Sequence, residues 1–110
     1  MKLSAKMEFI LITDEGYRIS DRIIELLKVI HKTGSLNTAV KELGVSYSHA
    51  WNTLNQLNCR LETDIVITRR GGNGGGVSTL TDAGLKLIKQ YDDLSDEVRK
   101  LLLKRTIDLN

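Results

Sequence analysis

A mainly α-helical domain with a small β component is the fold class that this chain predicts, and three stretches predict it. Residues 35–61, SLNTAVKELGVSYSHAWNTLNQLNCRL, read as two short helices around a glycine turn. Residues 65–80 read as two β segments around a glycine-rich tip, and residues 81–110 as a long charged helix with an apolar seam. Helix-turn-helix, hairpin and helix in that order describe a winged helix-turn-helix. Here it is preceded by a strand or hairpin and followed by a long dimerisation helix. The expected division is 1–80 for the winged domain and 81–110 for the dimerisation helix. Within the first, 1–19 is the strand or hairpin, 20–33 the first helix, 35–62 the helix-turn-helix and 65–80 the wing.

At the amino end, residues 7–12 (MEFILI) are apolar and rich in β-favouring side chains. They run into Thr13-Asp14-Glu15-Gly16, a turn signal, and Tyr17-Arg18-Ile19 forms the return. Ser20 is placed to cap the first helix, and Asp21 in its first turn complements the helix dipole. Ile23, Ile24, Leu26, Leu27 and Ile30 form a wide apolar stripe that closes at Thr33-Gly34. His31 and Lys32 sit where cations suit a helix end, so His31 reads as a helix-end residue rather than a ligand.

Gly34-Ser35 sets a stop beside an N-cap, and Leu36, Ala39, Val40 and Leu43 fall on one face of the next helix. Gly44 supplies a positive-φ turn, with Val45 expected to plug the space beneath it. Ser46 then caps a second helix whose buried stripe is Ala50, Leu54, Leu57 and Leu61. Its outer face carries Ser46, Tyr47, Ser48, His49, Asn52 and Asn55. Short hydrogen-bonding side chains of this kind read base edges in a DNA groove, and Asn52 can pair with an adenine edge through two bonds. Ser35 combines a capping hydroxyl with helix-terminal N–H groups, an arrangement that suits a phosphate. Trp51 lies one position off the stripe and reads as a core anchor; Cys59 reads as a small, partly buried residue.

The wing begins with residues 65–70 (IVITRR), passes through Gly71-Gly72-Asn73-Gly74-Gly75-Gly76 and returns along residues 77–80. Backbone without side chains can approach a groove wall, and Gly72, Asn73 and Gly74 at the tip can offer N–H groups to phosphate oxygens. Arg69 and Arg70 at the base suit phosphates and narrow minor grooves. No Lys-Ser/Thr follows and no strand-to-helix junction is present, which argues against a nucleotide-binding loop. After the Thr81-Asp82 cap, Leu87, Tyr91, Leu94, Val98 and Leu101 recur at four, three, four and three, a heptad seam read as a dimer interface.

Net charge is only +2, but its placement is uneven. Residues 1–30 and 81–110 balance, whereas Lys32, Lys41, Arg60, Arg69 and Arg70 outnumber Glu42, Glu62 and Asp64 between them. A local surplus over the helix-turn-helix is the footprint of a phosphate-facing surface. No apolar run approaches a bilayer span, and the amino end lacks a signal-peptide core. The single Cys59 precludes an internal disulfide and argues for a reducing, cytoplasmic setting. With only Cys59, His31 and His49 available, no zinc cluster can be drawn, so neither metal nor cofactor is expected. Nothing pairs a nucleophile with a base, so an enzyme is not expected either. Five dispersed aromatic residues make no stacking platform for single-stranded RNA.

The segments Gly34-Ser35-Leu36-Asn37-Thr38-Ala39, Val45-Ser46-Tyr47-Ser48-His49-Ala50-Trp51 and Leu57-Asn58 resemble the amino-terminal DNA-binding domain of ModE-type molybdenum regulators. The double-glycine, triple-glycine wing from Arg69 and Leu80-Thr81-Asp82-Ala83-Gly84 continue the resemblance, which covers roughly residues 20–95 and extends to the LysR-type winged helices. It implies a homodimeric transcriptional regulator that reads a palindromic operator with its recognition helices and rests its wings on the flanking backbone. Asn73 and Ser48 stand where such domains often carry basic residues, which implies altered affinity and preference. Full-length members carry a molybdate-binding domain for which 110 residues leave no room. The resemblance thus implies a stand-alone DNA-binding form, or sensing by a separate partner or by another signal. The competing reading of the same residues is a winged helix that docks another protein and binds no DNA; affinity for mixed genomic DNA that falls with salt separates the two.

Overall fold

The computed structural model describes residues 1–69 and 76–110. Short strands β2 (Leu11–Ile12) and β3 (Arg18–Ile19) pair antiparallel, Leu11 with Ile19 and Ile12 with Arg18. The turn between them is closed by the Thr13 N–H to the Tyr17 carbonyl at 2.9 Å and by the Tyr17 N–H to Thr13 Oγ1 at 3.0 Å. The apolar run at residues 7–12 is therefore strand only in its last two positions.

Helix α1 (Asp21–Thr33) buries Ile24, Leu26, Leu27 and Ile30. Ser20 occupies its N-cap with extended backbone but makes no side-chain capping bond, so capping there is positional only. Gly34 ends α1 in the left-handed conformation at φ 71°, and Ser35 at once caps α2 (Leu36–Leu43), accepting the Thr38 N–H at 3.1 Å. Gly44, again left-handed at φ 68°, ends α2, and the Val45 N–H reaches back to the Val40 carbonyl. Val45 itself is 43% exposed and does not fill the space beneath the turn. Leu36, Ala39, Val40 and Ala50 on either side of the turn are buried in the core instead.

Helix α3 (Tyr47–Arg60) buries Ala50, Leu54 and Leu57 against α1 and α2. A fully buried leucine contributes roughly 1.5–3 kcal/mol, so this stripe is what holds the helix in place. Cys59 lies off the stripe and is exposed, contrary to the sequence expectation. Strands β4 (Val66–Arg69) and β5 (Val77–Leu80) form the antiparallel wing ladder, with Val66 opposite Leu80 and Arg69 opposite Val77. The Ser78 N–H bonds the Gly34 carbonyl at 2.9 Å, which ties the wing to the α1–α2 corner.

Helix α4 (Asp82–Leu103) is capped by Thr81, whose hydroxyl accepts the Gly84 N–H. Gly84 is required here by proximity: a Cβ at this position would overlap the Ile65 carbonyl oxygen. The helix stops at Leu103 rather than running through residue 110, and Ile107–Asp108 forms β6. Strand β6 pairs with β1 (Lys2–Leu3), an end-to-end pairing that nothing local in the sequence announces. After β1, Ser4, Met7 and Phe9 line a groove with Ser95, Val98 and Leu102 of α4, and Phe9 lies edge-on to Tyr91 at 6.4 Å.

Candidate nucleic-acid interface

Ser46 caps α3 by accepting the His49 N–H at 3.1 Å, as Ser35 caps α2. Each hydroxyl uses an oxygen lone pair for its own helix and keeps its proton to donate elsewhere. Ser46, Tyr47, Ser48, His49, Asn52 and Asn55 are all exposed, so the outer face of α3 carries the side chains assigned to it. They do not form one patch, however. Tyr47 stacks on Trp51, with ring planes 11° apart and centroids 6.5 Å apart, on the flank nearer the wing. His49 lies on the other flank, lining a groove of about 620 Å³ with Arg22, Val45 and Thr53.

On the wing side, Leu36, Asn37, Tyr47, Thr68, Gly76 and Ser78 line a cleft of about 270 Å³. The first residues of α2 and of α3 both border it, so two helix N-termini, each a partial positive charge, face the same space. Asn37 and Tyr47 are the lining residues whose side chains can bond an anionic oxygen there. Sequence reasoning did not single out Asn37, although its place just after an N-cap is a usable signal. Thr68 and Ser78 bond one another at 3.0 Å across the wing.

Arg69 is exposed at the end of β4. Arg70, Gly72, Asn73 and Gly74, also expected at the wing, lie outside the described residues. Arg60, counted in the basic surplus, is held at the far end of α3 with its guanidinium 5.8 Å above the Tyr17 ring. Burial pushes the Tyr17 phenol above its ordinary pKa, and the Arg60 charge draws it partly back.

Sequence reasoning also passed over Asn58 as a site residue. Its Nδ2 donates to the Val66 carbonyl at 2.9 Å, and its Oδ1 accepts the Ile65 N–H at 2.8 Å and the Val66 N–H at 3.3 Å. The proposed dimer seam divides in space. Leu87 and Tyr91 pack on the domain's own core, and Val98 faces the amino-terminal arm across a groove. Leu94 and Leu101 remain 45% and 67% exposed. Among the described residues no helix is long and apolar enough to cross a membrane. No group of three or more His, Cys, Asp or Glu is placed to hold a metal among them.

The family model for the bacterial regulatory helix-turn-helix proteins of the lysR family matches residues 22–85, from the second residue of α1 to the start of α4. Among individual proteins, the chain is 38% identical over 95 residues to the molybdenum-pterin-binding protein MopB of Rhodobacter capsulatus, covering 86% of this chain and 35% of that one. It is 35% identical over 98 residues to the molybdenum transport protein ModE of Azotobacter vinelandii, covering 89% and 36%. Against the DNA-binding transcriptional dual regulator ModE of Escherichia coli K12 it is 40% identical over 79 residues, covering 72% and 30%. The chain thus spans about a third of the length of these relatives.

Proposed function

The chain belongs to the lysR family of bacterial regulatory helix-turn-helix proteins, and from that premise we propose that it regulates transcription by binding double-stranded DNA as a homodimer. The observation that carries this reading is the outer face of α3, where a buried leucine stripe holds Tyr47, Ser48 and Asn52 out toward solvent beside an exposed wing arginine. In this reading α3 enters the major groove, with Asn52 on a base edge and Ser46, Tyr47 and Ser48 on bases or phosphates. Ser35 and Asn37 take a phosphate at the cleft between the two helix starts, His49 contacts the opposite groove wall, and Arg69 and Arg70 grip flanking backbone. Gly72, Asn73 and Gly74 bring the wing tip against the same backbone.

Two copies joined along α4, through Leu94, Val98 and Leu101 with Leu87 and Tyr91 below them, would present paired recognition helices to a palindromic operator. The names of the relatives support a link between the regulated genes and molybdenum handling, and action on chromosomal DNA would be cytoplasmic. The test is selection of bound fragments from genomic DNA at low and moderate salt. The expected product is a set of inverted half-sites about one or two helical turns apart, near 34 Å per turn, beside genes of molybdate or oxyanion metabolism. The exposed Leu94 and Leu101 also suit the alternative of a module that docks another protein. Absent or salt-insensitive DNA binding would favour that alternative.

A further inference from the structure

We propose that Asn58 is the positioning residue that locks the wing to the recognition helix, and so sets the spacing between the base-reading and backbone-gripping parts of the interface. The proposal rests on the DNA-binding reading above. Asn58 lies in the last turn of α3, half-buried, with its carboxamide turned toward the start of the wing. Its three bonds to the Ile65–Val66 backbone use both the donor and the acceptor ends of the amide. Only one residue type fits these partners at this reach. Aspartate would set a second oxygen against the Val66 carbonyl, leucine would leave three backbone groups unpaired, and glutamine is one methylene too long.

A second observation points to the same junction. Glu62, between α3 and β4, sits at φ 55°, in the left-handed region that a residue with a Cβ seldom adopts. That conformation ends α3 in a Schellman cap, with the Glu62 N–H on the Cys59 carbonyl at 3.2 Å and the Thr63 N–H on the Asn58 carbonyl at 3.3 Å, and turns the chain back toward the Asn58 carboxamide. From the other side the same strand start is held by α4, with the Thr81 N–H on the Ile65 carbonyl at 3.0 Å and Gly84 packed against it. Asn58 therefore supplies the hold that comes from the recognition helix itself. With it gone, β4 and β5 would keep their ladder and their bond to Gly34 but could tilt relative to α3.

The experiment compares the wild-type chain with Asn58→Ala and Asn58→Asp, the latter keeping the acceptor for the Ile65 and Val66 N–H groups. Hydrogen exchange on the free protein should show faster exchange at Ile65, Val66 and the wing ladder, more in Ala than in Asp, with α1–α3 core amides unchanged. On fragments selected by the wild-type protein, footprinting should keep the protection centred on each half-site and lose the flanking protection. The salt slope should fall by about one for each phosphate that the wing no longer grips. Wild-type exchange rates at Ile65 and Val66 in Asn58→Ala would overturn the proposal. So would parallel loss of core amide protection and of the whole footprint, which marks a stability effect alone. A wild-type protein that selects no fragments would instead overturn the DNA-binding reading, and the failure is distinguishable because it precedes any substitution.

Discussion

Ser35 and Ser46 each do two jobs with one hydroxyl, accepting the backbone N–H of the third helical residue and leaving a proton for an incoming oxygen. Asn52 has no structural bond of this kind to lose, and its exposure makes it the residue for a specificity test. Asn52→Ala should relax preference at one operator position by about 1–3 kcal/mol while leaving non-specific affinity unchanged. Competition between single-base operator variants measures it, and an equal loss on every sequence would assign Asn52 to positioning. Tyr17 offers a pH test. Its pKa is raised chiefly by burial, so the folded protein favours the neutral phenol and the unfolded chain ionises first. The Tyr17 contribution is complete below the unfolded value near 10 and is lost as pH climbs through the higher folded value. Tyr17→Phe should flatten that alkaline decline in melting temperature; an unaltered decline would show that the phenol is not its source.

At the scale of elements, the wing is fastened rather than free at its base: by Asn58 from α3, by Thr81 from the start of α4, and by Ser78 to the α1–α2 corner. At the start of α4 a Cβ on Gly84 would overlap the Ile65 carbonyl oxygen. Gly84→Ala should therefore force α4 off the wing and destabilise the fold by about 1–3 kcal/mol, the usual cost of overpacking a tight contact. Urea unfolding would measure it. A neutral result would mean that the α4 start can slide without cost, and with it the wing. Helix-turn-helix geometry was legible in the sequence because its signals are local: two N-cap serines, two glycines at positive φ and an apolar spacing that repeats within eight to fourteen residues. Val45 and Cys59 were misread because burial at a turn or at a stripe's edge depends on which neighbours reach the space first.

At the scale of the whole molecule, the far half of α4 and the chain ends carry a group of exposed apolar side chains that includes Leu94, Leu101, Leu103, Met1 and Ile107. Isolated two-residue strands such as β1 and β6 are marginal alone, which fits a region completed by association. Leu101→Glu should shift the protein toward monomer in sedimentation without lowering the stability of the fold, because that side chain is 67% exposed. A dimer that persists in Leu101→Glu would remove α4 from the interface. The seam read from the sequence as a dimer interface thus divides along the helix. Its first turns, at Leu87 and Tyr91, serve the domain's own core, and its last turns are left open.

Caps, turn glycines and the spacing of leucines fixed, from the sequence alone, where the helices of the helix-turn-helix begin and end and which face of α3 looks outward. Those features depend on interactions within a few residues, which a linear reading captures. Tertiary structure alone decided that Asn58 holds Val66, that Gly84 must lack a side chain, that residue 2 pairs with residue 108, and that one helical seam divides between core and surface. Each joins parts of the chain whose meeting follows from how the elements pack, and no local preference encodes that.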